Sequence, residues 1–215
     1  MSKIVQAPSD VLSTVAKPVE MIDKSIKKLL KEMEQALSSA TDPEGVGLAA
    51  PQIGKSLQIF IVKEDPEAEL KVYINPKIES FKDLPKTKSA PAPKVDESEL
   101  NETNDGKLSE TKTTKKSGKT KDQKPKKGVQ LEGCLSLQDI WGVVKRHDEV
   151  ILSYQDEKGT NHTKTFDGFL SVIIQHEIDH LQGILFPKRV LEQKNILYKS
   201  VKNKKGETEF EEIEI

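Results

Sequence analysis

The sequence predicts an α+β chain, and three observations carry that prediction. There is one amphipathic helical repeat near the N-terminus, a set of short β-branched and aromatic runs in the middle, and one apolar helical run late in the chain. In the first, Val19, Ile22, Ile26, Leu29, Leu30, Met33 and Leu37 recur at helical spacing with Lys and Glu between them, which predicts a helix over about Ile22 to Ser39. Thr41-Asp42-Pro43 ends it, and a Gly-containing turn follows from Gly45 to Gly54. The runs Leu57–Val62 and Lys71–Pro76 then read as strands. From Trp141 to Phe166 apolar and polar residues alternate about a turn at Glu157-Lys158-Gly159, which predicts a hairpin. The last element is a helix over about Phe169 to Leu181.

Composition limits the organisation and the partners. The 215 residues suit one compact domain with appendages, and 34 Lys+Arg against 35 Asp+Glu give a net charge of −1, so no global basic field exists for nucleic acid or membrane. Residues 82–127 are Lys, Ser, Thr, Pro, Asp and Glu with almost no large apolar side chain, and such a stretch cannot offset its own ordering entropy. It reads as a disordered Lys-rich insertion. Residues 1–81 and 128–190 then form a single discontinuous domain, followed by a charged tail over 191–215. The opening MSKIVQAPSDVL lacks an apolar signal core, and no apolar run approaches the roughly 20 residues that span a bilayer. A cytoplasmic location is expected. The lone Cys134 excludes an intramolecular disulfide framework and requires an explanation of its own.

The late helix carries His176-Glu177-Ile178-Asp179-His180. Two His four apart project from one helical face and can both ligate a metal, while the intervening Glu can take a proton from a water at that metal. The plainer reading, two buried His bonded to carbonyls, is disfavoured because burying two imidazoles and a carboxylate among Val172, Ile173, Ile174 and Leu181 is costly without a charge to hold. A catalytic site needs a third ligand and an open position. Cys134, in the turn Glu132-Gly133-Cys134-Leu135-Ser136, is the strongest candidate. Glu192 is the alternative that a thermolysin-type peptidase would use, and His147 and His162 reach in only if the hairpin faces the helix. The segment Gly45-Val46-Gly47-Leu48-Ala49-Ala50-Pro51-Gln52 matches G-x-G-x-x-A, but a helix precedes it and no crossover helix follows, so a dinucleotide site is rejected. Its functional reading is a backbone that approaches a substrate closely, with the Gln52 amide as a donor to a developing oxyanion.

Together GVGLAAPQ, EGCLS and QHEIDHLQG, in this order, resemble the three motifs of the peptide deformylases, and the similarity extends to KPV near Lys17 and INP at Ile74 to Pro76. The resemblance implies a mixed fold with antiparallel sheets around a central metal-binding helix. It also implies removal of the formyl group from N-formylmethionine of nascent chains, with release of formate. Fe2+ is the typical metal, with Ni2+, Co2+ or Zn2+ as substitutes. Carried over by position, Cys134, His176 and His180 are the implied metal ligands and Glu177 the general acid/base. Gln52 and the Leu135 backbone N–H are the implied oxyanion donors, Gly47 a backbone contact, and Val46, Val172 and Ile173 the lining of the methionine pocket. Glu132, Asp179 and Arg146 are candidates for orienting the ligands. The chain departs from the family at Gln138, where Pro is common, at Trp141, near a position where many members carry a peptide-contacting Arg, and in its insertion.

The Lys cluster from Lys107 to Lys127 reads first as a solvated linker, because no aromatic residues interleave it, and second as a phosphate-contacting patch for the ribosome. The tail is expected to be a short ribosome-touching helix or a frayed end. No membrane partner is expected, and the chain is expected to be a monomer. A degenerate, non-enzymatic formyl-peptide or ribosome-binding module is the competing class; the intact Gln52, Cys134, His176, Glu177 and His180 argue against it.

Overall fold

The computed structural model describes residues 3–40, 45–65, 67–83, 130–203 and 206–214. The anticipated disordered insertion therefore lies outside the described residues, apart from Lys82 and Asp83. Helix α1 (Lys24–Ser38) starts where Asp23 accepts hydrogen bonds from the backbone N–H groups of Ser25 and Ile26, and it turns Ile26, Leu29, Leu30, Met33, Ala36 and Leu37 inward. Strands β1 (Gly47–Ala49), β2 (Ile59–Val62) and β3 (Lys71–Lys82) follow, with a 3-10 turn at Ala50–Ile53 between the first two. After the undescribed residues come β4 (Glu132–Cys134), β5 (Leu137–Gly142), β6 (Glu149–Gln155) and β7 (Asn161–Asp167). The chain then forms α2 (Gly168–Leu181), α3 (Phe186–Glu192), β8 (Leu197–Lys202) and β9 (Thr208–Glu212).

The strands make two antiparallel sheets, one in the order β1-β2-β3-β6-β7 and the other β4-β5-β8-β9. β2 explains why the larger sheet reads as an uninterrupted apolar run. Ile59 and Ile61 pack in one cluster with α1, whereas Phe60 and Val62 pack in another with Ile173, Ile174, Ile178 and Leu181 of α2. This sheet is thus covered by a helix on each face. β3 and β6 join the two halves of the sequence in it.

The KPV and INP segments meet for a backbone reason. Asn75 sits at φ 50° beside a register shift in β3, and its side chain accepts from the Val19 N–H at 2.7 Å and donates to the Val19 carbonyl at 2.8 Å. A left-handed conformation favours Asn over most residues, and its amide replaces the ladder bonds that this segment forgoes.

Two expectations are corrected. The hairpin begins at Glu149, not at Trp141, because Trp141 belongs to β5 in the other sheet. The charged tail is neither a helix nor a frayed end: Lys199 and Glu211, and Val201 and Glu209, face one another as partners in the β8–β9 hairpin. Backbone pairing along the hairpin, with Lys199 opposite Glu211, orders what looks, along the sequence, like an unstructured charge run.

Candidate metal centre and cleft

The two motifs at the centre are brought together by β4 leaving the small sheet directly against α2. Cys134 Sγ lies 3.2 Å from His180 Nε2, and one donor atom each from Cys134, His176 and His180 falls within 4.8 Å of the others. Cys134 and His180 are buried, and His180 is only 1% exposed. His176 Nδ1 lies 3.1 Å from Glu132 Oε2, which leaves its Nε2 for the centre. Glu177 is 3% exposed, and its Oε2 and His180 Nδ1 are buried without a hydrogen-bond partner among the described residues. A thiolate, two imidazoles and unsatisfied polar atoms at one buried point are a donor set suited to a borderline-soft divalent ion with one position left open.

A cleft of about 210 Å³ opens beside this group, lined on one side by Phe169, Val172, Ile173, His176 and Glu177 of α2. Gly45, Val46, Gly47 and Gln52 line another part, and Glu132, Gly133, Cys134, Leu135 and Trp141 a third. Gly47 is required by close approach: a Cβ there would collide with Glu177 Oε1 and come 3.0 Å from Ile173 Cγ2. Gln52, 1% exposed, accepts from the Ala49 N–H at 2.8 Å, which turns its Nε2 towards Cys134 Sγ (3.6 Å) and Ser136 Oγ (3.3 Å).

The sequence model of the polypeptide deformylase family matches residues 1–195. The chain belongs to this family. It is 32% identical over 190 residues to peptide deformylase 1 of Bacillus cereus, covering 87% of this chain and 91% of that one. It is 34% identical over 186 residues to the peptide deformylase of Thermosynechococcus vestitus, covering 85% and 75%. Among solved structures, the peptide deformylase from Synechococcus elongatus in complex with actinonin superposes with a TM-score of 0.60 at 30% identity, over 86% of this chain and 76% of that one. The Thermotoga maritima enzyme gives 0.62 at 26% identity, over 88% and 97%. As a deformylase, the chain is a metal-dependent hydrolase that removes the formyl group from N-formylmethionyl nascent peptides and releases formate.

The implied ligands, proton-transfer, oxyanion and pocket residues all line this cleft except His180, whose Nε2 lies 3.2 Å from Cys134 Sγ; the orienting candidates Asp179 and Arg146 lie outside it. The alternative ligands lie elsewhere. Glu192 is paired with Arg189 at 3.1 Å, His147 with Asp83 at 2.9 Å, and His162 with Asp156 at 2.8 Å. The peptidase arrangement through Glu192 is thereby excluded in this structure.

The three orienting candidates form one chain of contacts. Arg146 binds Glu132 through two hydrogen bonds, at 2.7 and 3.0 Å, and reaches Asp179 Oδ2 at 2.7 Å. Arg189 completes it from α3, with Nη2 2.7 Å from Asp179 Oδ1. Sequence reading missed Arg189, since no local pattern marks it, and missed Phe169, whose 49% exposure at a cleft edge appears only in three dimensions.

The electrostatics follow from burial and these partners. Burial opposes charge on Glu132, but hydrogen bonds from His176 and Arg146 outweigh it and hold the carboxyl at about 2. Burial likewise lowers His176, yet its contacts with Cys134 and Glu132 keep it well above the usual imidazole range. Desolvation pushes Glu177 up to about 7, against the pull of the His176 charge. His180 is driven well below its ordinary value, first by burial and then by the His176 and Arg146 charges. The Cys134 sulfur and the Glu132 carboxylate thus favour positive charge at this point of the site.

Proposed function

We propose that Cys134, His176 and His180 hold the catalytic metal, with Fe2+ the native ion and Ni2+, Co2+ or Zn2+ as substitutes, and that Glu177 is the general acid/base. The single observation that carries this reading is the group of three donor atoms within 4.8 Å, beside a buried carboxylate with an unpartnered oxygen. Such an ion, when bound, acidifies water and polarises a carbonyl. Glu177 takes the proton of the attacking water and delivers it to the departing amine; a carboxyl near 7 is suited to both transfers. Gln52 Nε2 and the Leu135 backbone N–H donate to the developing oxyanion, Gln52 being held in orientation by the Ala49 N–H. Gly47 lies against the substrate backbone, and Val46, Val172 and Ile173 receive the methionine side chain. Glu132 fixes the His176 ring, and Arg146 and Asp179 fix Glu132.

We assign the catalytic domain to residues 1–81 and 128–190, with strands β8 and β9 completing its small sheet, in a cytoplasmic monomer. The proposed contact to the ribosome is through the Lys-rich insertion or the C-terminal tail. Among the described residues, no helix is long and apolar enough to cross a membrane.

The test is anaerobic purification with iron(II) or nickel, followed by formate release from formyl-Met-Ala-Ser. One metal per chain and metal-dependent formate release, both lost in Cys134→Ser, with metal retained and formate lost in Glu177→Ala, are the expected results. Metal retained by Cys134→Ser would overturn the ligand assignment. Metal bound with no formate from wild type would move the reading to a formyl-peptide binding module.

A further inference from the structure

The C-terminal hairpin lies outside the family match, which ends at residue 195, yet it contacts a residue of the cleft. In the small sheet Gly133, Trp141 and Tyr198 are register partners, and Ser200 pairs with Phe210 two residues further along β8. Because side chains alternate faces along a strand, Gly133, Trp141, Ser200 and Phe210 share one face. Ser200 is small, and Phe210 reaches past it to meet the Trp141 ring edge-on, with ring centroids 5.9 Å apart and planes at 82°. On its other side the indole lies over Gly133, where a Cβ would come within 2.8 Å of the ring. Trp141 Nε1 is buried with no hydrogen-bond partner among the described residues, so packing rather than a polar anchor sets the ring's position.

We propose that Phe210 is a positioning residue for the cleft: it holds Trp141 over Gly133, one residue before Cys134, and so sets the shape of the wall that a bound peptide meets. The proposal rests on the cleft being the deformylase substrate site. It assigns the hairpin a part in peptide binding and none in the chemical step, because Phe210 itself does not line the cleft and touches no proposed ligand or proton-transfer group.

Trp141 is the single tryptophan of the chain, so tryptophan emission from the metal-loaded enzyme reports the surroundings of this one indole. In Phe210→Ala the emission shifts to the red and acrylamide quenches it more strongly. The KM for formyl-Met-Ala-Ser rises about two- to tenfold, the range an aromatic pair represents, while kcat stays within about twofold. Phe210→Tyr keeps the ring edge and restores both. If the alanine variant does not fold, Phe210→Leu takes its place, with an intermediate shift expected. Unchanged emission and KM would overturn the proposal, as would a loss of kcat at constant KM or a failure of Phe210→Tyr to restore either readout. Absence of formate from wild type would instead count against the site itself, and the emission measurement stands apart from that failure.

Discussion

Helices α1 and α2 have nearly the same length, 15 and 14 residues, and pack on the same sheet, but α1 buries apolar residues alone and α2 a mixture of apolar and polar ones. The inward face of α1 is wholly apolar. On α2, Ser171, Gln175, Glu177, Asp179 and His180 are buried beside Ile173, Ile174, Ile178 and Leu181. Burial drives α1 into place with nothing left to satisfy, whereas each polar group on α2 requires a partner that another element must supply. Arg146 and Arg189 supply one for Asp179, and the His147 carbonyl accepts from Ser171 and Gln175. Glu177 Oε2 and His180 Nδ1 are the atoms of this helix left without a partner among the described residues. The difference separates a helix selected for stability from one that tolerates electrostatic cost at its reactive group.

The largest effect should come from the unpartnered carboxylate. Glu177→Gln keeps shape and removes proton transfer, so kcat for formate release should fall about 10²- to 10⁴-fold while thermal stability stays level or rises. A variant that lost stability in parallel would erase the distinction between the helices. Next is Glu132→Ala, which takes the two hydrogen bonds of Glu132 from the buried Arg146 and leaves it Asp179. Urea unfolding should register a loss of about 3–5 kcal/mol, and metal titration a roughly 10- to 100-fold weaker site. Unaltered metal affinity would mean that Glu132 supports the fold alone.

On α1 the expectation reverses. Met33→Ala, at a fully buried position, should cost about 2–5 kcal/mol in urea unfolding and leave the kcat of the folded enzyme unchanged. A kcat that dropped with it would tie the apolar helix to the chemistry. The smallest effect is expected at its N-terminus, where Asp23→Ala should lower the melting temperature slightly and leave activity unchanged. Calorimetry on both variants distinguishes the core contribution from the cap.

Both helices were legible in the sequence because each has a local signature, and their observed bounds lie within about two residues of the expected ones. The hairpin β6–β7 was legible in part; its alternation extends back to Trp141, but the irregular segment between Gly142 and Glu149 separates the two, and Trp141 pairs in another sheet. The β8–β9 pair was hidden, because cross-strand partners cannot be seen until two segments are placed side by side. For the same reason Arg189 was absent from the expected site, while Glu132, Asp179 and Arg146 stood only as separate candidates.

The sequence by itself determined the donor chemistry: two His four apart on a helix with Glu177 between them, a single Cys134, and a glycine-bearing loop ending in Gln52. These depend on residue type and on helical or turn geometry, which act over a few residues. Only the tertiary structure decided that Cys134 Sγ meets His180 across 46 residues, that Gly47 abuts Glu177, and that Phe210 reaches Trp141. Contacts between distant segments depend on how sheets and helices pack, and the packing free energy belongs to the assembled core rather than to any one segment.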